Sequence, residues 1–199
     1  TPINTEDVLF QLNRNLIFPF GVKSRGGHLI LQYENGDYLV AKRSSSKVML
    51  FRGCYDVPAG GLLPTSMNVE DLVFLEAWEE AGLTKDDIID ISRPVTLLGA
   101  RNVIGKWKEQ RYKPAFPYET NGGTDFGEAI YWKATIKDGI EPQPKDGETK
   151  EYFRFTPDEL LDSLTNEPEK WKINSGVMFL HALSQANVGK IKIEDPVFS

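Results

Sequence analysis

The stretch DVPAGGLLPTSMNVEDLVFLEAWEEAGL, residues 56–83, constrains this chain more than any other part of it. Asn68 is a good helix N-cap with Asp71 three positions on, and Gly82 stands where a helix stops, so a helix is predicted over residues 69–81. At 100° per residue, Glu76, Glu79 and Glu80 share an arc of roughly a hundred degrees. Phe74, Ala77, Trp78 and Ala81 fall on the other side and are expected to face the core. Three carboxylates on one face repel one another. A cation removes that cost, and an all-oxygen site selects a hard ion such as Mg2+ or Mn2+. Gly60 and Gly61 just before the helix let the backbone turn and approach a ligand, and a Gly61 carbonyl is expected to complete the metal shell. A cation held this way can bridge diphosphate oxygens and activate water. The helix N-terminus is a poor phosphate cradle, because Glu70 and Asp71 occupy it.

The flanking sequence supplies a sheet. Residues 28–33, 38–43, 95–104, 128–136 and 150–155 read as strands, and Asn35-Gly36 is a hairpin turn. Helices are expected at 5–12, at 156–164 with Pro157 in the first position, and at about 173–186. Strands with helices between and after them predict an α/β or α+β sandwich. No repeat, low-complexity tract or linker divides the chain, so residues 1–199 are expected to form one domain with an N-terminal extension to about residue 25. That length can bury a core without staples. A net charge of -6 disfavours a general affinity for nucleic acid. One cysteine, Cys54, permits no internal disulfide. No run of eighteen apolar residues and no basic–apolar leader occurs in the sequence, so a soluble, cytoplasmic protein off the membrane is expected.

The central segment resembles the Nudix box, G-x5-E-x7-R-E-U-x-E-E-x-G-U with U apolar. Aligned on Glu79-Glu80-Ala81-Gly82-Leu83, Gly61 matches the opening glycine and Glu76 the catalytic glutamate. Two positions depart, Met67 for the first glutamate and Leu75 for the arginine. In the family these look like a salt-bridged pair, so their joint loss reads as an exchange of ion pair for apolar contact. The lead-in RSSSK, FRGCYD and double glycine resembles the fungal and plant branch related to the Nudix domain accompanying thiamine pyrophosphokinase. So do GEAIYWKATI, KDGETKEYFRFTPDELLDSL and KWKINSGVMFLHAL. The likeness implies a single Nudix α/β/α sandwich with a mixed β-sheet, and Mg2+- or Mn2+-dependent cleavage of a small organic diphosphate, thiamine diphosphate-like, to a monophosphate. It also implies catalytic and metal-binding roles for Glu76, Glu79 and Glu80.

Further site residues follow with less constraint. A fourth metal-binding carboxylate is expected from Glu128, slightly favoured for its place at a strand start, or from Glu148 in a Lys-Asp-Gly-Glu turn. Residues 100–128 mix bases with aromatics. Arg101 and Arg111 there, with Arg43 and Lys47 earlier, are expected to meet substrate phosphate, and Trp107 to stack on a heterocycle. His28 and His181 read as structural, and Cys54 as an inert thiol. A homodimer is a possible assembly. Two rivals remain. One is a degenerate Nudix domain that binds a diphosphate without cutting it, which Met67 and Leu75 keep open. The other is an isopentenyl diphosphate isomerase-like enzyme, for which Cys54 falls too early in the chain.

Overall fold

The computed structural model describes residues 24–46, 51–102 and 124–186. The helix expected at 5–12 and residues 103 and 104 of the strand expected at 95–104 lie outside them, as do Lys47, Trp107 and Arg111. The described strands are β1 (Ser24–Tyr33), β2 (Tyr38–Arg43), β3 (Tyr55–Asp56), β4 (Ala59–Leu62), β5 (Ile88–Ile91), β6 (Val95–Asn102), β7 (Thr124–Ile136) and β8 (Thr149–Phe155). The helices are α1 (Val69–Ala81), α2 (Pro157–Asn166) and α3 (Ile173–Ala186).

β1 is buried on both faces from Gly26 to Leu31, as a strand covered on both sides is. It runs parallel to β7 from Ser24 opposite Gly127 to Tyr33 opposite Ile136. A parallel pair needs a long crossover, and α1 lies within it. The other edge of β1 is divided. Antiparallel β2 takes it at Leu31 and Gln32, and antiparallel β4 takes it from Gly26 to Leu29. β3 and β8 extend the sheet beyond β2, and β5 and β6 pair antiparallel with β7. The hairpin between β1 and β2 turns through Gly36 at φ +95°, a conformation that favours glycine.

Alternate residues of β1 point to two cores. Leu29, Leu31 and Tyr33 meet Val73, Ala77, Ala81 and Leu83 beneath α1. Ile30, with Val40, Val57 and Tyr131, meets Leu160, Trp171, Met178 and Phe179 beneath α2 and α3. Each fully buried Leu or Phe there contributes about 1.5–3 kcal/mol. The result is the expected three-layer α/β sandwich on a mixed sheet. Among the described residues, no helix is long and apolar enough to cross a membrane.

The face of α1 differs from the sequence expectation. Its buried stripe is Leu72, Val73, Ala77, Glu80 and Ala81, with Glu76 half-buried beside it. Phe74 is half-buried, and Trp78 is 49 % exposed rather than core. The reason is close packing. A Cβ on Gly27 would lie 2.8 Å from Val73 and 3.0 Å from Val69, so α1 rests on the sheet through its small and β-branched residues. The bulky rings are turned outward under lysine ammonium groups, Lys85 over Phe74 and Lys145 over Trp78, each at 4.3 Å. Leu75 is also exposed, at 38 %, so no buried apolar contact replaces the missing ion pair at that position.

Candidate metal centre

Asn68 accepts the amide of Asp71 at 2.8 Å and starts α1, and Gly82, at φ +71°, ends it. Those two caps set the phase of the glutamates against β4. Glu80 is 7 % exposed, and its Oε2 accepts the Gly60 N–H at 2.9 Å. Glu76 lies over Gly61 so closely that a Cβ there would fall 1.9 Å from its Oε1. Gly60 is equally constrained from the opposite face, where a Cβ would fall 2.3 Å from His28 Nδ1. The double glycine is therefore required by two side chains, one on each face of β4. Glu79 is half-buried on the adjoining flank of α1.

Strand pairing decides which glycine carbonyl faces the glutamates. In an antiparallel ladder, hydrogen-bonded pairs alternate with pairs whose polar groups point away. Leu63 donates to the Arg25 carbonyl at 2.8 Å, which makes Gly27 and Gly61 the next bonded pair and turns the Gly61 carbonyl toward β1. His28 and Gly60 then form an outward-pointing pair, in keeping with the Gly60 N–H reaching Glu80. The carbonyl on the glutamate side is Gly60's, where the sequence reading named Gly61.

Across from Glu80, carboxylate oxygens of Asp146 and Glu148 lie with its own within 4.8 Å of one another. Asp146 escaped the sequence reading, although the Lys-Asp-Gly-Glu turn holds both residues. Its Oδ1 accepts the Glu148 N–H at 2.8 Å, and Gly147 at φ +79° makes the turn possible. Glu128, the carboxylate favoured from sequence, bonds the Arg25 guanidinium at 2.7 Å and is not in this group. Arg101 sits on β6 opposite Asp125.

A second set of charges underlies the first. Asp56 is buried and accepts Arg43 at 2.7 Å, Lys172 at 2.9 Å, the Val57 N–H at 2.8 Å and the Ser175 hydroxyl. Arg43, expected on phosphate, is thus bound to Asp56. Burial alone would raise the Asp56 carboxyl, but Lys172, then Arg43 and Ser175, outweigh it and hold its pKa at about 2. Glu80 has no such compensation. Burial first, then the charges of Glu76 and Asp56, raise it well above the ordinary carboxylate range, against the pull of Gly60 and Lys172. His28 is lowered to about 4, by burial and then by Lys172, with Asp56 acting the other way, and its Nδ1 has no hydrogen-bond partner. Cys54 is raised by burial and then by Asp56, which disfavours the reactive thiolate. His181 is bonded to the Tyr131 hydroxyl at 2.5 Å.

The donor set suits a hard divalent cation. Carboxylates of Glu80, Asp146 and Glu148 crowd together with Glu76 nearby, a backbone carbonyl faces them, and the cost that burial and Glu76 impose on the Glu80 charge is one a cation would offset.

No protein-family model matches the sequence, and no curated protein matches it. Solved structures do share the fold. The MutT protein of Methanosarcina mazei Go1 is 18 % identical with a TM-score of 0.54, over 83 % of this chain and 95 % of its own. The NUDIX domain of Shewanella oneidensis NrtR, complexed with ADP ribose, is 12 % identical with a TM-score of 0.54, over 94 % and 98 %. A bifunctional NMN adenylyltransferase/ADP ribose pyrophosphatase of Francisella tularensis, complexed with AMP and a Mn ion, has the same identity and TM-score over 84 % of this chain and 42 % of its own. The α/β/α sandwich is therefore that of Nudix proteins.

Proposed function

We propose that this chain is a Nudix hydrolase that uses Mg2+ or Mn2+ to cleave the phosphoanhydride bond of a small organic diphosphate, releasing a monophosphate. The observation that carries the reading is the buried Glu80 carboxylate, set between the Gly60 amide and the Asp146–Glu148 turn with Glu76 beside it. Glu80, Asp146 and Glu148 would hold the ion, with the Gly60 carbonyl and Glu79 at its margin. The ion would supply charge neutralisation at the diphosphate oxygens. Glu76, pressed against Gly61, would orient the attacking water and accept its proton. Arg43 and Lys172 are both paired with the buried Asp56, so their charge would act on an anionic substrate only as a field from behind the carboxylates.

The substrate reading is narrower. The resemblance of the lead-in and C-terminal stretches favours a thiamine-type diphosphate. The fold's occurrence in an ADP ribose complex keeps a nucleoside diphosphate sugar as the second class. Exposed Leu75 favours one further reading, a domain that binds a diphosphate without cutting it, because the scaffold position is not rebuilt by burial. Monophosphate release from thiamine diphosphate and its oxidised analogues, ADP-ribose, a nucleoside triphosphate and isopentenyl diphosphate, with Mg2+, Mn2+ or chelator, separates these readings. Metal-dependent cleavage of one member supports the hydrolase. A ligand-induced thermal shift without cleavage of any member supports the binding domain.

A further inference from the structure

The connection from β7 to β8 carries Asp146 and Glu148, yet these meet Glu80 on a different element. Three contacts fasten this connection. The Gln143 N–H donates to the Ala81 carbonyl at 2.9 Å, the Ser44 N–H donates to the Glu148 carbonyl at 2.7 Å, and Lys145 lies over Trp78. A helix leaves its last carbonyls without intrahelical partners, and Ala81's is one of them. The carbonyl of Glu80 itself is another. It accepts the hydroxyl of Tyr152 on β8 at 2.6 Å. The Tyr152 ring packs against the core beneath α1. Glu80 is therefore held at both ends, its carboxylate by Gly60 and its carbonyl by Tyr152.

We propose that Tyr152 is a positioning residue for the carboxylate cluster: its hydroxyl fixes the last turn of α1 and so sets Glu80 against Asp146 and Glu148. This rests on the reading of that cluster as a divalent-metal site. Residues that orient metal ligands from behind are worth about 10–100-fold in metal affinity. Tyr152→Phe removes one oxygen and keeps the ring. Mn2+ titration by calorimetry is expected to show about tenfold weaker binding than in the unchanged protein, with unfolding temperature in chelator nearly the same. Equal Mn2+ affinity in the two proteins overturns the proposal, and so does a lower unfolding temperature with equal affinity, which would mark Tyr152 as structural only. Should Tyr152→Phe fail to fold, Tyr152→Met, which fills much of the same apolar space without a hydroxyl, is expected to weaken Mn2+ binding in the same direction, and unchanged affinity there overturns the proposal equally. If the unchanged protein takes up no Mn2+, the metal-site reading falls and this proposal with it. If it binds and Tyr152→Phe matches it, only this proposal falls.

Discussion

Glu80 is the residue on which the site turns, because it occupies the buried stripe of a helix where a side chain of its length would ordinarily be apolar. Glu80→Gln keeps the shape and can still accept the Gly60 N–H, but it removes the charge. Turnover of any diphosphate substrate should fall about a hundredfold or more, while the unfolding temperature in chelator should rise. Retained activity would sink the metal-site assignment. His28 gives a separate prediction. Its folded pKa of about 4 lies below the unfolded 6.5, so the fold favours the neutral ring. That stability is present above pH 6.5 and is lost as pH falls toward 4, in total about 3 kcal/mol. Glu80, raised in the fold, acts in the opposite sense over acidic pH, so the His28 part must be read as a difference between two proteins. Urea denaturation of the unchanged protein and of His28→Gln, in chelator from pH 7 to pH 4, should show their stability difference shrinking with pH; a constant difference refutes it. Sequence spacing singled out Glu76, Glu79 and Glu80 as a group, whereas the carboxylates the structure gathers with Glu80 are those of Asp146 and Glu148. It had no means of finding Asp56 as a hub, because its partners Lys172 and Ser175 are 116 and 119 positions away and leave no local periodicity.

At the scale of elements, β4 and α1 act as one unit, with a glycine facing each layer of the sandwich. Replacing the two glycines should therefore have different consequences. In Gly61→Ala the new methyl meets the end of a long side chain, Glu76, which can swing away. Activity should drop at least about tenfold with little change in unfolding temperature, since the carboxylate that moves is the one proposed to orient water. In Gly60→Ala the methyl meets the enclosed ring of His28. Overpacking of that kind costs about 1–3 kcal/mol, so the unfolding temperature should fall in chelator as well as in metal. Thermal unfolding and turnover measured side by side check both, and identical behaviour of the two variants would show that the faces are not distinct. The bounds of α1 and β2 were legible because caps, a turn dipeptide and alternation mark them locally. The strands β3, β4 and β5 were not, because two to four residues carry no usable period. The orientation of α1 was misread for a related reason. An amphipathic pattern presumes that apolar residues seek the core, whereas here the close approach of Val69 and Val73 to Gly27 leaves no room for an indole, and Trp78 lies outside.

Across the whole molecule, the order of strands and helices made the sandwich legible, but the pairing that builds it was not. The parallel contact of β1 with β7 joins residues about a hundred positions apart, and no short window records it. That same long crossover places α1 on one face, while the start of α3 brings Ser175, and Lys172 just before it, to Asp56. A cation bound at Glu80 would thus join α1, β4 and the β7–β8 connection, and its binding free energy would add to the stability of the fold. At a hundred times its dissociation constant, a ligand that binds only the folded state adds about 2.7 kcal/mol. For a chain of this size that corresponds to roughly 5–10 °C. The pH dependence follows from Glu80. With its folded pKa raised, the cation-free protein keeps the Glu80 contribution below the unfolded carboxylate pKa and loses it as pH rises through the folded value. Binding requires the ionised form, so the cation reverses that loss. The rise in unfolding temperature on adding Mg2+ or Mn2+ should therefore widen as pH is raised above the ordinary carboxylate range in the unchanged protein and be absent in Glu80→Gln. A shift that is independent of pH, or one that survives in Glu80→Gln, would place the cation at some other group of carboxylates.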